Sequence, residues 1–179
     1  MKHRFFHLRG RGFTIIEASL SLVVVSVVAI AGLSAVSVAR KSRASVADAV
    51  QGRMYADALL AEVASKRYRD AVSPAEPLGP DATDDIGLAA WRTVDDMDDY
   101  NGFAMSPITD VNGNDLSSGA WGAMIQVSWV SLADPSIEEA AESGVKRISV
   151  AVYKQNKIVA RASTLRTLGA DAAFRGENP

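Results

Sequence analysis

One carboxylate, Glu17, stands inside an apolar run that extends from Phe13 to about Ala39. Placing an ionisable side chain at the centre of a bilayer costs about 2.5 to 3.5 kcal/mol on insertion scales, so such a residue indicates a function by default. A buried ion of this kind must be paired to be tolerated. Glu17 therefore predicts charge pairing within an apolar helix.

The residues before this run are basic and contain no acid. By the positive-inside rule they predict a cytoplasmic N-terminus and an exported remainder. The run of about 27 residues can cross a bilayer as a helix, and it exceeds the roughly 7–15 residues of a secretory signal. Small and hydroxyl residues within it permit close helix packing. They are Ser19, Ser21, Ser26, Ala29, Ala31, Gly32, Ser34 and Ala35.

At these residues the chain resembles the type IV pilin-like family, which includes type IV pilins and the pseudopilins of type II secretion. The resemblance rests on Arg9-Gly10-Arg11-Gly12-Phe13-Thr14-Ile15-Ile16-Glu17 in register with the apolar run, and it covers roughly the first forty residues. It implies that a prepilin peptidase removes leader 1–12 by cutting between Gly12 and Phe13. It also implies that Phe13 is N-methylated and that Glu17 meets the amine of a neighbouring subunit during assembly.

The resemblance further implies a function in assembly and not an enzyme. The expected protein is a minor pilin or pseudopilin, a structural subunit of a type IV pilus or of a type II secretion pseudopilus. Its partners would be other pilin-like subunits through helix 13–39, the prepilin peptidase and an inner-membrane assembly platform. The chain would cross the inner membrane once, with a cytoplasmic N-terminus and a periplasmic globular domain, before it enters a filament.

The composition removes several classes of enzyme. The 179 residues include no cysteine, and the two histidines, His3 and His7, lie in the leader. A processed chain therefore has no thiol chemistry, no Ser-His-Asp triad and none of the usual zinc sites. Loss of the four basic leader residues changes the formal net charge from −2 to −6, which excludes nucleic-acid binding through a general basic surface. No cofactor is predicted, with calcium as the one candidate exception.

The helical pattern continues beyond the membrane run as an amphipathic segment over residues 40–71, so that residues 13–70 form one long helix. Its periodic apolar positions are Val46, Val50, Met54, Ala58 and Ala61. Four further residues, Tyr55, Leu59, Leu60 and Val63, are available to cover a sheet. A loop-rich acidic region follows over residues 72–120.

From Trp121 the pattern changes to strand-like alternation, which predicts an antiparallel sheet over residues 121–168. The predicted strands are Trp121–Ser131, Val145–Tyr153 and Ile158–Thr167, with a hairpin turn at Lys154–Lys157. A short helix is expected from Asp134 to Ala140, and a flexible tail over residues 169–179. The predicted core residues are Trp121, Ile125, Val127, Trp129, Ile148, Val150, Val152, Ile158 and Leu165.

The fold class that follows is α+β and pilin-like. A long N-terminal helix, membrane-spanning in its first half, packs with its second half on a small antiparallel sheet of three or four strands in one globular domain. The sequence does not indicate which face of the sheet meets the helix.

Two loop motifs carry alternative chemistry. Asp110, Asn112 and Asn114 place oxygen-bearing side chains at alternate positions, which makes them candidate calcium ligands, although an Asn-Gly turn explains the same residues. The acidic run Asp95–Asp99 is either a solvated connection or the paired carboxylates of a membrane-anchored hydrolase. A single-span anchored receptor or binding module that keeps its leader is the other alternative.

The junction between Gly12 and Phe13 generates the first prediction. Replacing Gly12 with a bulky residue, as in Gly12→Leu, should block cleavage and leave residues 1–12 attached, because the resemblance implies a cut directly after this glycine. Helix 13–39 should still insert, since its apolar length is unchanged. Intact mass of the membrane-extracted protein measures this, and a mature mass equal to that of the wild type would contradict it.

Overall fold

The computed structural model describes residues 14–70, 77–80, 94–110 and 112–175. These residues form two helices and four strands: α1 (Ile15–Ser65), β1 (Ala104–Met105), β2 (Trp121–Trp129), β3 (Val145–Lys154), β4 (Lys157–Thr167) and α2 (Leu168–Arg175). The chain divides into two units, Met1–Val46 and Ala47–Pro179. The α+β class is therefore confirmed, with one long apolar N-terminal helix and a small antiparallel sheet.

Helix α1 begins with a side-chain cap. The hydroxyl oxygen of Thr14 accepts a hydrogen bond from the backbone N–H of Glu17 at 3.2 Å, and the carbonyl of Thr14 accepts from the N–H of Ala18 at 3.0 Å. Threonine followed three residues later by glutamate is the sequence of a capping box. The helix therefore begins at Ile15, because Thr14 is its cap, and Phe13 lies outside the described residues.

Helix α1 ends at Ser65, so the prediction that it continues to residue 70 is wrong. Arg67 forms an isolated parallel bridge with Asp96, and the Arg67 carbonyl accepts a hydrogen bond from the N–H of Met97 at 3.0 Å. The following residue, Tyr68, is fully buried. Pairing with a distant segment thus overrides the local helical preference of the last turn.

The four strands follow the chain in the order β1-β2-β3-β4, and every neighbouring pair is antiparallel. Trp121 lies opposite Lys154 at one end of the β2–β3 pair, and Trp129 lies opposite Lys146 at the other. Between β3 and β4, Gln155 and Asn156 both have positive φ angles, of 49° and 63°. Two such residues are the mark of a type I′ hairpin turn, so the predicted hairpin is confirmed.

The face of the sheet that meets α1 is the one formed by the alternate residues Ile125 and Val127 of β2 and Ile148, Val150 and Val152 of β3. From α1, the predicted residues Leu59 and Val63 are buried, together with Ala56. Gly52 allows the close approach of the helix, because a Cβ atom there would lie 2.7 Å from Cγ2 of Val159. We call this the inner face and the opposite one the outer face.

Three predicted core residues are wrong. Ile158 and Leu165 are 46% and 44% exposed, and Trp129 is only partly buried. The β3–β4 register shifts between Val152 and Tyr153, and this bulge turns Ile158 to the outer face. Leu165 lies on the outer face because it pairs with Arg147. Opposite Val152 and Val150, the inner positions of β4 hold the small residues Ala160 and Ala162, which leave room for the helix.

The predicted helix from Asp134 to Ala140 is also wrong. The Asp134 carboxylate accepts hydrogen bonds from the backbone N–H and the hydroxyl of Ser136, at 3.0 and 2.7 Å. Glu138 then pairs with Val130 in an antiparallel bridge. The aspartate closes a turn instead of capping a helix, and the chain folds back beside the extension of β2.

The tail predicted as flexible, residues 169–179, is helical over its first seven residues, because helix α2 extends through Arg175. The hydroxyl of Thr167 caps this helix by accepting from the N–H of Ala170 at 3.2 Å. Arg166 binds Asp171 at 3.0 Å. The prediction is therefore wrong for this part, and residues 176–179 lie outside the described ones.

The sheet generates the second prediction. Val150→Asp should lower the free energy of unfolding by about 3–5 kcal/mol, because it buries an unpaired charge at a side chain that is 1% exposed. Its neighbour Ser149 lies on the outer face and is the matched control, where Ser149→Asp should change little. Urea unfolding of the full chain in mild detergent, followed by tryptophan fluorescence, measures both. Equal losses for the two variants would show that the inner face is misassigned.

Candidate functional site

The first candidate site is the apolar part of α1. Every described residue of the first unit, from Thr14 to Val46, is exposed. By length and composition α1 is able to cross a membrane. The hydroxyls of Ser19 and Ser26 donate to the carbonyls of Ile15 and Leu22, at 2.9 and 2.7 Å. These polar groups are therefore satisfied within the helix, as an apolar environment requires.

Glu17 lies in the first turn of this exposed helix. Its carboxylate has no hydrogen-bond or ion-pair partner among the described residues, although its backbone N–H is held by Thr14. The amine that the sequence assigns to it belongs to Phe13, which lies outside the described residues with Gly12. Cleavage, N-methylation and the pairing of Glu17 thus stay predictions.

The second candidate site is the acidic run Asp95–Asp99, and the prediction of a solvated connection is wrong there. Asp96, Asp98 and Asp99 are 3%, 9% and 3% exposed. Oδ1 of Asp96 accepts from the backbone N–H of Asp98 at 2.7 Å. Oδ2 of Asp99 accepts from the N–H groups of Asp95 and Asp96, at 3.3 and 3.4 Å. These carboxylates thus close a buried turn, in which Asp96 and Asp99 bind the turn's own backbone.

Asp98 has a different partner, the buried ammonium of Lys146. Lys146 is 0% exposed and lies on the inner face of β3. Its Nζ donates to both carboxylate oxygens of Asp98, at 2.5 and 2.7 Å, and to the backbone carbonyl of Tyr68 at 2.5 Å. It also lies 4.2 Å from the centre of the Tyr68 ring, which adds a cation–π contact. Three acceptors match the three ammonium protons.

A fourth segment joins this cluster through Glu142. Its Oε1 accepts from the hydroxyl of Tyr68 and from the backbone N–H of Gly144, each at 2.8 Å. Burial raises the pKa of Tyr68, and the bonded Glu142 carboxylate adds to the rise. Burial also raises the pKa of Asp98 to about 6, although Lys146 opposes the rise. The ionic groups saturate one another, so the cluster fastens segments together and presents no free reactive group.

Sequence reasoning missed Lys146. Its position in the strand was the available signal. Lys146 falls on the same face of the alternating strand as Ile148, Val150 and Val152, the residues predicted for the core. A lysine at such a position must be paired to be tolerated in the interior. The acid that pairs with it, Asp98, is 48 residues away in the sequence, and no local pattern connects the two.

The third candidate site is the turn of the proposed calcium ligands. Oδ1 of Asp110 accepts from the backbone N–H groups of Asn112 and Asn114, both at 2.8 Å, and Oδ2 accepts from the side-chain amide of Asn114 at 2.9 Å. These bonds, with the side-chain bond from Asn114 first, lower the pKa of Asp110. The structure thus brings Asp110 and Asn114 together, and the turn is closed by their own hydrogen bonds.

No group of three His, Cys, Asp or Glu side chains that could hold a metal ion occurs within the part of the chain that the structure describes. Calcium binding by Asp110, Asn112 and Asn114 stays a prediction, since two of the three residues are asparagines.

Comparison of the chain with protein-family models, with curated proteins and with solved structures finds no match. The resemblance at the N-terminus therefore stands on the residues that carry it.

The buried cluster generates the third prediction. Lys146→Met should lower the free energy of unfolding by about 3–5 kcal/mol, because it leaves the Asp98 carboxylate buried without its cation. The double variant Lys146→Met with Asp98→Leu should recover part of this loss, since no unpaired ion remains. Urea unfolding of four proteins, the wild type, Lys146→Met, Asp98→Leu and the double variant, measures the coupling. Simple additivity of the two single losses would contradict a direct pair.

The pair of Asp98 and Lys146 also makes the free energy of unfolding depend on pH. The pKa of Asp98 is about 6 in the folded chain and about 4 in an unfolded one, so folding takes up a proton between these values. The stability that Asp98 contributes is therefore fully present below about pH 4 and is lost as the pH rises through 6. Asp98→Asn should remove this dependence. Urea unfolding of both proteins between pH 4 and 6 measures it, and the same change in the free energy of unfolding for both proteins would contradict the role of Asp98.

Proposed function

We propose that this chain is a minor pilin or pseudopilin, a structural subunit assembled into a type IV pilus or a type II secretion pseudopilus. The observation that carries the proposal is the continuous exposed apolar surface of α1 from Ile15 to Val38, in which Glu17 is the one charged residue. Such a surface needs an apolar environment. Lipid supplies it before assembly, and neighbouring helices supply it in a filament.

The length of α1 favours a filament over a simple anchor. Its 51 residues span about 77 Å at 1.5 Å per residue, whereas the hydrocarbon core of a bilayer needs only about 20 residues. Beyond that length, Val46, Val50 and Met54 are still 60%, 57% and 67% exposed. The sequence marks these as periodic apolar positions, and the globular unit does not cover them.

An anchored receptor would explain the membrane-spanning length, but it leaves this second stretch without a purpose. Packing against the helices of neighbouring subunits accounts for both stretches with one kind of contact. Small residues support such packing. Around Gly32, for example, nothing lies within 4 Å of the place a Cβ atom would take, so a neighbouring helix has room to approach the backbone closely.

The first turn of α1 supports the role given to Glu17. With Thr14 as the cap, a chain cut between Gly12 and Phe13 would begin one residue before the cap and two residues before the first helical residue, Ile15. The new amine of Phe13 would then lie at the head of the helix, close to the turn that carries Glu17. In the proposed assembly, the carboxylate of an incoming subunit pairs with the amine of a subunit already in the filament, and this pairing sets the axial register.

The proposal includes the route to the filament. The prepilin peptidase processes the chain in the inner membrane, with the N-terminus in the cytoplasm and the unit Ala47–Pro179 in the periplasm. An assembly platform then transfers the subunit from lipid into the filament. None of these steps requires catalysis by the chain itself.

The fourth prediction tests Glu17. Glu17→Val should be processed, inserted and stable, because removing a lone acid from a bilayer helix is favourable. The cap should also survive, since it uses the backbone N–H of residue 17. Incorporation into the filament should be lost. Co-purification and crosslinking with partner pilins, beside a blot of the membrane fraction, measure these properties.

Ser19→Ala is the matched control for the Glu17 experiment. It removes a hydroxyl that is satisfied within the same turn of the helix, and it should assemble as the wild type does. Normal incorporation of the Glu17→Val protein would refute the pairing role. Its loss from the membrane fraction would show that Glu17 acts in folding. N-terminal sequencing completes the test, because the proposal requires a start at N-methylated Phe13.

A further inference from the structure

Exposed large apolar side chains mark three places among the described residues of the unit Ala47–Pro179, apart from α1. One is Leu116, at 47% exposure, in the segment before β2. The second is the loop between β2 and β3, which carries Leu132 and Ile137 at 76% and 53% exposure. The third is the outer face of the sheet, with Met124 and Ile158 at 51% and 46%. We call residues 131–142 the acidic loop, and we call the cavity on the outer face the outer groove.

The outer groove has a volume of about 650 Å³. Small side chains, Ser149 and Ser163 among them, line its floor, and Met124 and Ile158 supply apolar walls. Its charged lining residues are Arg53 and Arg161, with no acid. The guanidinium of Arg161 makes no ion pair among the described residues, and Arg161 is exposed. The groove thus suits an apolar side chain accompanied by a carboxylate.

The acidic loop offers such a combination. Three of its four acids have partners within the domain: Asp134 bonds Ser136, Glu138 pairs with Arg147, and Glu142 binds Tyr68. The fourth, Glu139, is exposed, and its carboxylate has no partner among the described residues. Hydrogen bonds to Ser131 and Trp129 fix the backbone of the loop at Ile137 and Glu139. It therefore presents an ordered apolar residue and a free carboxylate two positions apart.

The acidic loop and the outer groove are separate patches of the domain. The loop joins Trp129 to Val145, whereas the groove extends from Asn156 in the hairpin turn to Gln126, Ser149 and Ser163. Two different patches of this kind can meet in two ways. In a closed twofold pair the contact forms twice, and in a head-to-tail arrangement it repeats from copy to copy.

We propose that the acidic loop of one copy of this chain docks in the outer groove of the next copy. Ile137 enters between Met124 and Ile158, and Glu139 pairs with Arg161. The occupant is a second copy because the complementary charge and the complementary apolar groups are both present on the same domain. This contact goes beyond the proposed function and does not depend on it, since it involves only the globular unit.

The absence of cysteine from the chain allows a direct test. The full chain in mild detergent receives one cysteine in the acidic loop, Ala140→Cys, and one beside the groove, Ser163→Cys. Both positions are exposed. Mild oxidation of this double variant should give cross-linked species: dimers alone if the contact closes as a twofold pair, and a ladder of dimers, trimers and larger species if it repeats head to tail. Ala140→Cys with Ser118→Cys is the matched control, because Ser118 is exposed and lies outside the groove.

Charge exchange tests the chemistry of the contact. In the double-cysteine background, Arg161→Glu or Glu139→Arg alone should reduce the cross-linked fraction by about tenfold, because each places like charges together. The two substitutions combined should restore it. All variants change exposed residues, and their unfolding curves should match that of the wild type.

Four outcomes would overturn the proposal: no cross-linked species, equal cross-linking of the Ser118→Cys control, no response to charge exchange, or efficient dimers from Ser163→Cys alone. The last outcome would indicate a groove-to-groove pair or another partner for the groove. Because the readout is cross-linking of the detergent-solubilised chain, it is separate from filament incorporation. A failure here leaves the Glu17 result untouched, and a failure of Glu17 leaves this result untouched.

Discussion

The buried ammonium of Lys146 constrains much of the globular unit. An ion without solvent must have its protons accepted within the protein, and Lys146 obtains its acceptors from Asp98 and from the backbone of Tyr68. Lys146 reaches these acceptors because α1 ends before Tyr68 and because residues 95–99 form a tight turn. The end of the helix, the buried acidic run and the segment before β1 are thus all joined at one charge on an inner strand position.

Helix α1 meets two different requirements along its length. Its second half is a core element, with Leu59 and Val63 buried and with Gly52 close to β4. Its first half has no buried residue at all. Ionic contacts reinforce the second half from outside the core. Asp48 binds Lys154 at 2.7 Å. The guanidinium of Arg53 donates to the carbonyl of Arg161 at 3.1 Å on β4, the last strand in the order of the described sheet.

Local patterns in the sequence predicted the elements that are decided locally. The apolar run, the periodicity of α1 and the alternation in β2 and β3 each reflect a repeat of a few residues, and the positive φ angles of the turn follow from a two-residue hairpin. The misses depend on distant contacts. Ile158 depends on a bulge opposite Val152, and the burial of Asp98 depends on Lys146. The helix predicted from Asp134 is wrong because aspartate both caps helices and closes turns. At the candidate site, Glu17 and its neighbours were evident from sequence, whereas the exposure of Val50 and Met54 required the structure.

The ties between α1 and β4 determine when the domain is able to fold. Arg53 and Arg161 are 108 residues apart, and Asp48 and Lys154 are 106 apart. A chain synthesised from its N-terminus therefore exposes the helix surface around Gly52 and Ala56 long before the strands that cover it have been made. Closing such distant contacts is slow relative to forming a helix. The domain consequently completes its core only when synthesis has reached β4, and until then this apolar helix surface is open to aggregation.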